Sequence, residues 1–183
     1  MVMTGGLPAG TTMVLQPVNH DFACIYTPCG QPGGNLGGEA EVFDSTFSFR
    51  LFGTGALAGY TRSLSLATTN ETHSGPRNPG DPVQFFNTDT FELDAELLGD
   101  PDFASLHITG GTSFGRPSPG QTILTRQGDG TYHVDSFFEL SYRIEFVGAP
   151  GGVLDGLSGW TVDRLGWRGC IGGRRRQLMN TSG

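Results

Sequence analysis

The chain of 183 residues is long enough for one folded core and short for two. Its 30 glycines and 11 prolines exclude long helices, and its 13 phenylalanines suit the half-buried faces of β-sheets. The net charge is −7 and all 11 basic residues are arginine, which argues against a nucleic-acid partner and against an anionic membrane surface. No apolar run reaches the roughly 18 residues of a membrane span, so we expect no membrane insertion.

The N-terminal segment, 1–6, has neither the basic nor the apolar region of a signal peptide. The protein is therefore either cytosolic or an exported protein whose leader is absent from this chain. Cys24 and Cys29 either form a disulfide that closes a small loop, as in exported proteins, or remain two unpaired thiols. We expect an extracellular or periplasmic location.

Short segments rich in β-forming residues follow one another along the chain, separated by glycine and proline turns. Gln127-Gly128-Asp129-Gly130 is typical of a hairpin turn, and 100–105 is predicted to form a single helical turn. The predicted strands outside the repeats described next are 12–16, 62–67, 106–109, 122–126 and 131–134. This pattern predicts an all-β fold, an antiparallel sandwich or barrel of about 8–10 short strands.

Three segments about 45 residues apart share an Asp-Ser or Asp-Thr start, alternating residues and a final glycine, and suggest a weak internal repeat. They are Asp44 to Gly53, Asp89 to Gly99 and Asp135 to Gly148. Each segment alternates with period two, which predicts a strand with one row of side chains in the core. The residues predicted to point inward are Phe47, Phe49, Phe91, Leu93, Phe138, Leu140, Tyr142 and Ile144.

The C-terminal segment differs from the rest of the chain. After Gly159 the alternation stops, two tryptophans and a cysteine appear, and Arg174-Arg175-Arg176 reverses the charge. We therefore predict a single β domain over 1–160 and an atypical basic tail over 161–183. The tail is interpreted as foreign or frameshifted sequence, with a functional basic tail as the alternative.

Several runs resemble a group of uncharacterised, secreted proteins of environmental bacteria that often carry a C-terminal surface anchor. They are TSFGRPSPGQT at 112–122, VDSFF at 134–138, GAPGG at 148–152, PGDP at 79–82 and NTD at 87–89. The resemblance covers roughly residues 10–158. It implies export and a β-rich body, and it implies no particular activity.

Histidines and acids suggest a candidate metal site. His133 and Asp135 are two residues apart on one predicted strand, so their side chains share a face, and His107 lies on a neighbouring strand candidate. The loop over 70–82 carries Glu71 and His73 and is long enough to fold towards them. These five side chains could hold zinc with an open position, where bound water becomes a nucleophile.

Calcium is the alternative ion, because acidic residues also cluster in glycine and proline turns, where hard oxygen ligands often converge. The residues concerned are Asp81, Asn87, Asp89, Asp100, Asp102 and Asp129. Their spacing matches no EF-hand, and ordinary solvated turn residues would look the same.

Two functions of different classes remain. The first is a non-enzymatic extracellular module, either surface-structural, adhesive or carbohydrate-binding, with an unknown small molecule or glycan as partner. A glycan-binding module should present exposed aromatic side chains such as Tyr60, Tyr132 or Trp160 along one face. The second is a metal-dependent hydrolase of esters, lactones or phosphotriesters that uses the histidine and aspartate set.

Overall fold

The computed structural model describes residues 1–24 and 30–171, with the backbone alone described for 19–24 and 167–171. The described chain is nearly all β, with two short 3₁₀ turns at Gly55–Leu57 and Thr112–Phe114. Its strands are β1 (Val2–Met3), β2 (Met13–Cys24), β3 (Gly30–Pro32), β4 (Glu39–Gly53), β5 (Thr61–Ser74), β6 (Val83–Leu98), β7 (Phe103–Gly110), β8 (Pro119–Arg126), β9 (Tyr132–Gly148) and β10 (Ser158–Ile171). The predicted all-β class is confirmed, with several strands longer than expected.

All strand pairs are antiparallel, and the sheet closes into a barrel. The pairing order is β1-β2-β4-β5-β6-β7-β9-β10, with β3 added beside β4. Gly5, just after β1, exchanges two backbone hydrogen bonds with Trp160 of β10, with N···O distances of 3.1 and 2.9 Å. This bridge joins the two ends of the order and leaves the central strands no free edge.

Two short strands share the gap between the long strands β6 and β9. β7 pairs with the C-terminal halves of both long strands, and β8 pairs with their N-terminal halves. We call the corresponding parts of the barrel the β7 end and the β8 end. The chain crosses from β7 to β8 through Gly111, whose φ of +96° and close approach to the Phe91 carbonyl oxygen leave no room for a side chain.

The apolar core lies at the β7 end, where inward side chains alternate with outward polar ones. Its fully buried members include Phe49, Leu106 and Ile144, and the rings of Phe103 and Phe146 meet edge to face with centroids 5.7 Å apart. Leu57 and Leu154, from the turns after β4 and β9, close this end.

Six of the eight residues predicted to point inward contribute to this core. Phe49, Leu140, Tyr142 and Ile144 are buried, and Phe47 and Leu93 pack against the cluster while partly buried. The prediction that Phe91 points inward is wrong, because a register shift in the β5–β6 pairing puts its ring on the outer surface, stacked on His73. Phe138 is 37% exposed and lines a cavity rather than the packed core.

A polar layer crosses the middle of the barrel. The hydroxyl groups of Ser45 and Thr68 hydrogen bond to each other, and Asn70 Nδ2 donates to both hydroxyl oxygens at 2.8 and 3.0 Å. All three residues are buried. The apolar core therefore ends at this layer, and the β8 end beyond it has a different interior.

The C-terminal segment contributes a strand. β10 crosses the expected boundary at 160 and pairs with β9 as far as Ile171 opposite Val134. The remaining residues, 172–183, lie outside the described part, so the interpretation of the tail as foreign sequence stays a prediction there. The predicted helical turn over 100–105 is wrong, because β7 already begins at Phe103.

Candidate functional site

The five residues predicted to bind a metal all lie on the outer face of the barrel. On β5 the buried Thr68 and Asn70 point inward, so Glu71 and His73 point outward. His107 lies between the inward-facing Leu106 and Ile108 of β7. On β9 the buried Ser136 points inward, and His133 and Asp135 are exposed on the opposite face.

Of these five, Glu71 and His73 are hydrogen bonded to each other, and His133 and Asp135 lie two residues apart on the exposed face of β9. His73 Nε2 hydrogen bonds with Glu71 Oε1 at 2.7 Å, while its Nδ1 accepts the backbone N–H of Asn35 at 3.1 Å. Asn35 Nδ2 also donates to Asp89 Oδ2 at 2.8 Å. His73 is only 4% exposed and stacks on Phe91, with ring centroids 4.2 Å apart. The imidazole thus fastens the 33–38 loop to the barrel wall.

His107 and His133 lie near opposite ends of the barrel. His107 is opposite Glu145 on β9, twelve residues along that strand from His133, a separation of about 40 Å for an extended strand. His107 Nε2 hydrogen bonds with Asp94 Oδ1 at 2.7 Å. Among the residues that the structure describes, no three His, Cys, Asp or Glu side chains are grouped to hold a metal ion.

The acids considered for calcium are engaged with protein partners. Arg62 reaches both Asp100 and Asp102, with N···O distances of 2.5 Å to each. Asp89 accepts from Asn35 and from the Thr112 hydroxyl, the latter at 2.7 Å. Asp129 accepts from Thr131 within the hairpin turn, and Asp81 accepts from Asn78. Zinc and calcium therefore both stay predictions.

The barrel contains a cavity of about 340 Å³ at the β8 end. Most of its lining consists of inward-facing side chains of β4, β5, β6, β8 and β9. The residues used below are Glu39, Glu41, Phe86, Thr88, Thr122, Leu124, Val134, Ser136 and Phe138, together with Arg77 from the segment after β5. We call this space the cavity.

The strand pattern explains why this end is hollow. At the β7 end, inward positions carry Leu, Ile, Phe and Tyr, whose volumes fill the barrel. At the β8 end the same rows place the small residues Thr88, Gly120 and Ser136 between larger ones such as Phe86 and Phe138. Gly120 lies opposite Thr88, and a Cβ there would be 2.5 Å from Thr88 Oγ1. A side chain at this position would collide with Thr88, so the wall of the cavity requires glycine here.

The hydroxyl groups of the cavity fall into two kinds. Thr122 and Ser136 hydrogen bond to each other across β8 and β9, at 2.9 Å between oxygens. Thr88 Oγ1 is buried and has no hydrogen-bond partner among the described residues. Because Ser136 bonds to another hydroxyl rather than to a base, the contacts give it no activation as a nucleophile.

The charges of the cavity are unevenly matched. Arg77 forms an ion pair with Glu39, with Nη2 2.6 Å from Oε2, and its guanidinium lies over the Phe86 ring, 5.4 Å from the centroid. Burial raises the pKa of the Glu41 carboxyl, and the neighbouring Glu39 raises it further, while Arg77 lowers it by less. Of the two glutamates, Glu41 is thus the one whose negative charge is less stabilised by neighbouring groups.

Of the residues that line the cavity, His73 and Asp89 were predicted as metal ligands and Phe138 as an inward residue, but the two glutamates and the hydroxyl residues were not predicted as site residues. Glu39 and Glu41 are two residues apart in a β-like run, a spacing that places both on one face of a strand. That signal was present, but acids in an alternating strand are normally assigned to the solvent face. Only the pairing of Glu39 with Ser74 and of Glu41 with Thr72 shows that their row continues the inward row of Phe49.

The aromatic side chains expected to form a glycan-binding row are far apart. Tyr60 donates to Asp102 at the β7 end, and Tyr132 donates to the Pro79 carbonyl at the β8 end. Trp160 is exposed on the outer face of β10 beside Arg143. Two other aromatic side chains, Phe86 and Phe138, line the cavity.

No protein-family model, curated protein or solved structure matches this chain. The resemblance to secreted bacterial proteins therefore stays a prediction. Among the described residues, no helix has the length and apolar character needed to cross a membrane.

Proposed function

We propose that this protein is a non-enzymatic binding module that holds a small polar molecule in the cavity at the β8 end. The observation that carries the proposal is the change of the barrel interior from a packed apolar core to a hollow space, lined by apolar and charged side chains, along the same strands. Purely structural barrels of this size are filled by side chains, whereas ligand-binding barrels keep one end open.

The dimensions and chemistry of the cavity suit such a ligand. Its volume of about 340 Å³ falls at the lower end of the range for small-molecule pockets. Phe86, Leu124 and Phe138 offer apolar contact, and Thr88 lines the same space with its hydroxyl oxygen buried.

Of the two functions expected from the sequence, we retain the non-enzymatic module, as a binding protein, rather than the metal-dependent hydrolase. We place it outside the cytoplasm, as the resemblance implies, and its ligand is a single small ring compound rather than a long glycan. A long glycan would need an extended row of aromatic side chains on the surface, and Tyr60 and Tyr132 lie at opposite ends of the barrel.

The test uses two substitutions at Thr88. Thr88→Leu extends a side chain into the cavity, and Thr88→Val keeps the shape while removing the hydroxyl group. The full chain and both variants are screened by saturation-transfer NMR against monosaccharides, amino sugars, cyclic amines and cyclic alcohols.

We expect compounds that bind the wild type to bind Thr88→Leu at least about tenfold more weakly, a change of about 1.4 kcal/mol, and to retain most of their affinity for Thr88→Val. The proposal is wrong if no compound binds, or if every compound binds the three proteins equally. Circular dichroism of each variant checks that the fold is retained.

A further inference from the structure

Three charged side chains line the cavity from β4 and the segment after β5, and among the described residues they supply one cation for two carboxylates. Arg77 Nη2 forms an ion pair with Glu39 Oε2 at 2.6 Å, and its guanidinium lies over the Phe86 ring. Glu41, two residues further along β4, projects into the same cavity but forms no ion pair within the described residues. One cation therefore serves two acids.

This arrangement is unfavourable for the empty protein. Glu41 is partly buried and lies beside a second carboxylate, and both effects raise its pKa. A carboxylate withdrawn from water is stabilised when a cation with N–H donors approaches it, because charge-assisted hydrogen bonds are the stronger ones. The partner that the cavity lacks is thus a positively charged donor.

We propose that the ligand of the cavity is a small organic cation, a primary amine on a compact ring, whose ammonium group binds Glu41. The ring lies against Phe86, Leu124 and Phe138, which line the same space. This inference rests on the proposed function and specifies the ligand class of the same site.

The experiment compares amines with neutral analogues of the same shape. Benzylamine is paired with benzyl alcohol, cyclohexylmethylamine with cyclohexylmethanol, and glucosamine with glucose. Each compound is titrated into the full chain at neutral pH, and binding is followed by ¹H–¹⁵N NMR. The variants are Glu41→Gln, which removes the charge at the proposed contact, and Glu39→Gln, a matched control that removes a carboxylate already paired with Arg77.

We expect at least one amine to bind about tenfold or more tightly than its neutral partner, in line with one charge-assisted hydrogen bond. Glu41→Gln should abolish this preference, and Glu39→Gln should reduce it less. The affinity of the amine should rise with pH as Glu41 loses its proton, because only the carboxylate attracts the ammonium group.

The outcomes separate this inference from the proposed function. If neutral compounds bind as tightly as amines, and Thr88→Leu still weakens them, the cavity binds ligands but the cationic class is wrong. If Glu39→Gln weakens amine binding more than Glu41→Gln does, the assignment of the ammonium to Glu41 is wrong. If no compound binds the wild type, both proposals are contradicted.

Discussion

A comparison of Phe49→Ala with Phe138→Ala tests the division of the barrel into a packed end and a hollow end. Both phenylalanines point inward from long strands, and an alternating pattern alone treats them alike. Phe49 is 1% exposed and its ring lies 5.2 Å from that of Phe47, whereas Phe138 is 37% exposed beside the cavity. The structure therefore predicts unequal losses of stability.

The expected losses follow from burial. Truncation of Phe49 removes a buried ring and leaves a void in a packed core, which costs about 3–5 kcal/mol. Truncation of Phe138 enlarges an existing cavity and adds no new void. Scaling the roughly 1.5–3 kcal/mol of a fully buried large side chain by its covered fraction gives about 1–2 kcal/mol.

Urea unfolding at pH 7, followed by tryptophan fluorescence and circular dichroism, measures both variants against the wild type. The free energies of unfolding are comparable when the dependence on urea is unchanged, since that slope reports the surface exposed on unfolding. A loss for Phe138→Ala equal to that for Phe49→Ala would refute the reasoning, because it would place a fully packed core at the β8 end.

Three further predictions concern single groups. Thr88→Val should raise the free energy of unfolding by up to about 1 kcal/mol in urea titrations, because it removes a buried hydroxyl without a partner. Glu41→Gln should stabilise the protein at neutral pH, and the gain should shrink as pH falls through the raised pKa of Glu41 towards 4.5, since protonation already neutralises the wild type. Elemental analysis of purified protein tests the metal-dependent hydrolase: stoichiometric zinc lost in both His107→Ala and His133→Ala would contradict the separation of these residues.

The period-two pattern was sufficient to predict the strands that form the packed end. Leu140, Tyr142 and Ile144 alternate with polar residues in β9, and all three are buried where β9 pairs with β7. The sequence also predicted a barrel as one of two alternatives, because many strands with turn signals indicate either a closed or a two-layered sheet. Closure of the barrel could not be predicted, since it depends on the bridge between Gly5 and Trp160, which no local sequence pattern encodes.

The cavity could not be predicted because the usual rule for strand faces is inverted at the β8 end. In β6, Phe85 is 59% exposed on the outer face, while the polar Gln84 and Thr88 lie on the inner row. A prediction that assigns apolar residues to the interior would place Phe85 inside and Gln84 and Thr88 outside in this half of β6, the reverse of the observed orientation. The register of β6 with β8 and β5, a long-range property, determines which row faces the cavity.

The metal site was proposed from residue types whose spatial relation the sequence leaves open. His133 and Asp135 do share one face, as their spacing predicts, but that face is the exposed one. His73 is held by Glu71 and Asn35 and stacks on Phe91. A histidine with both ring nitrogens engaged by protein groups serves here to attach a loop, a role that spacing alone does not distinguish from metal binding.

The most direct test of the central claim is a ¹H–¹⁵N NMR titration of the full chain with benzylamine, cyclohexylmethylamine and glucosamine in turn, with resonances assigned residue by residue. The account predicts that the largest shifts occur at Glu41, Thr88 and Ser136, which line the cavity, and that Ile144 in the packed end is unaffected. Shifts centred on His107 or His133 at the outer face, or no shifts at millimolar ligand, would contradict it.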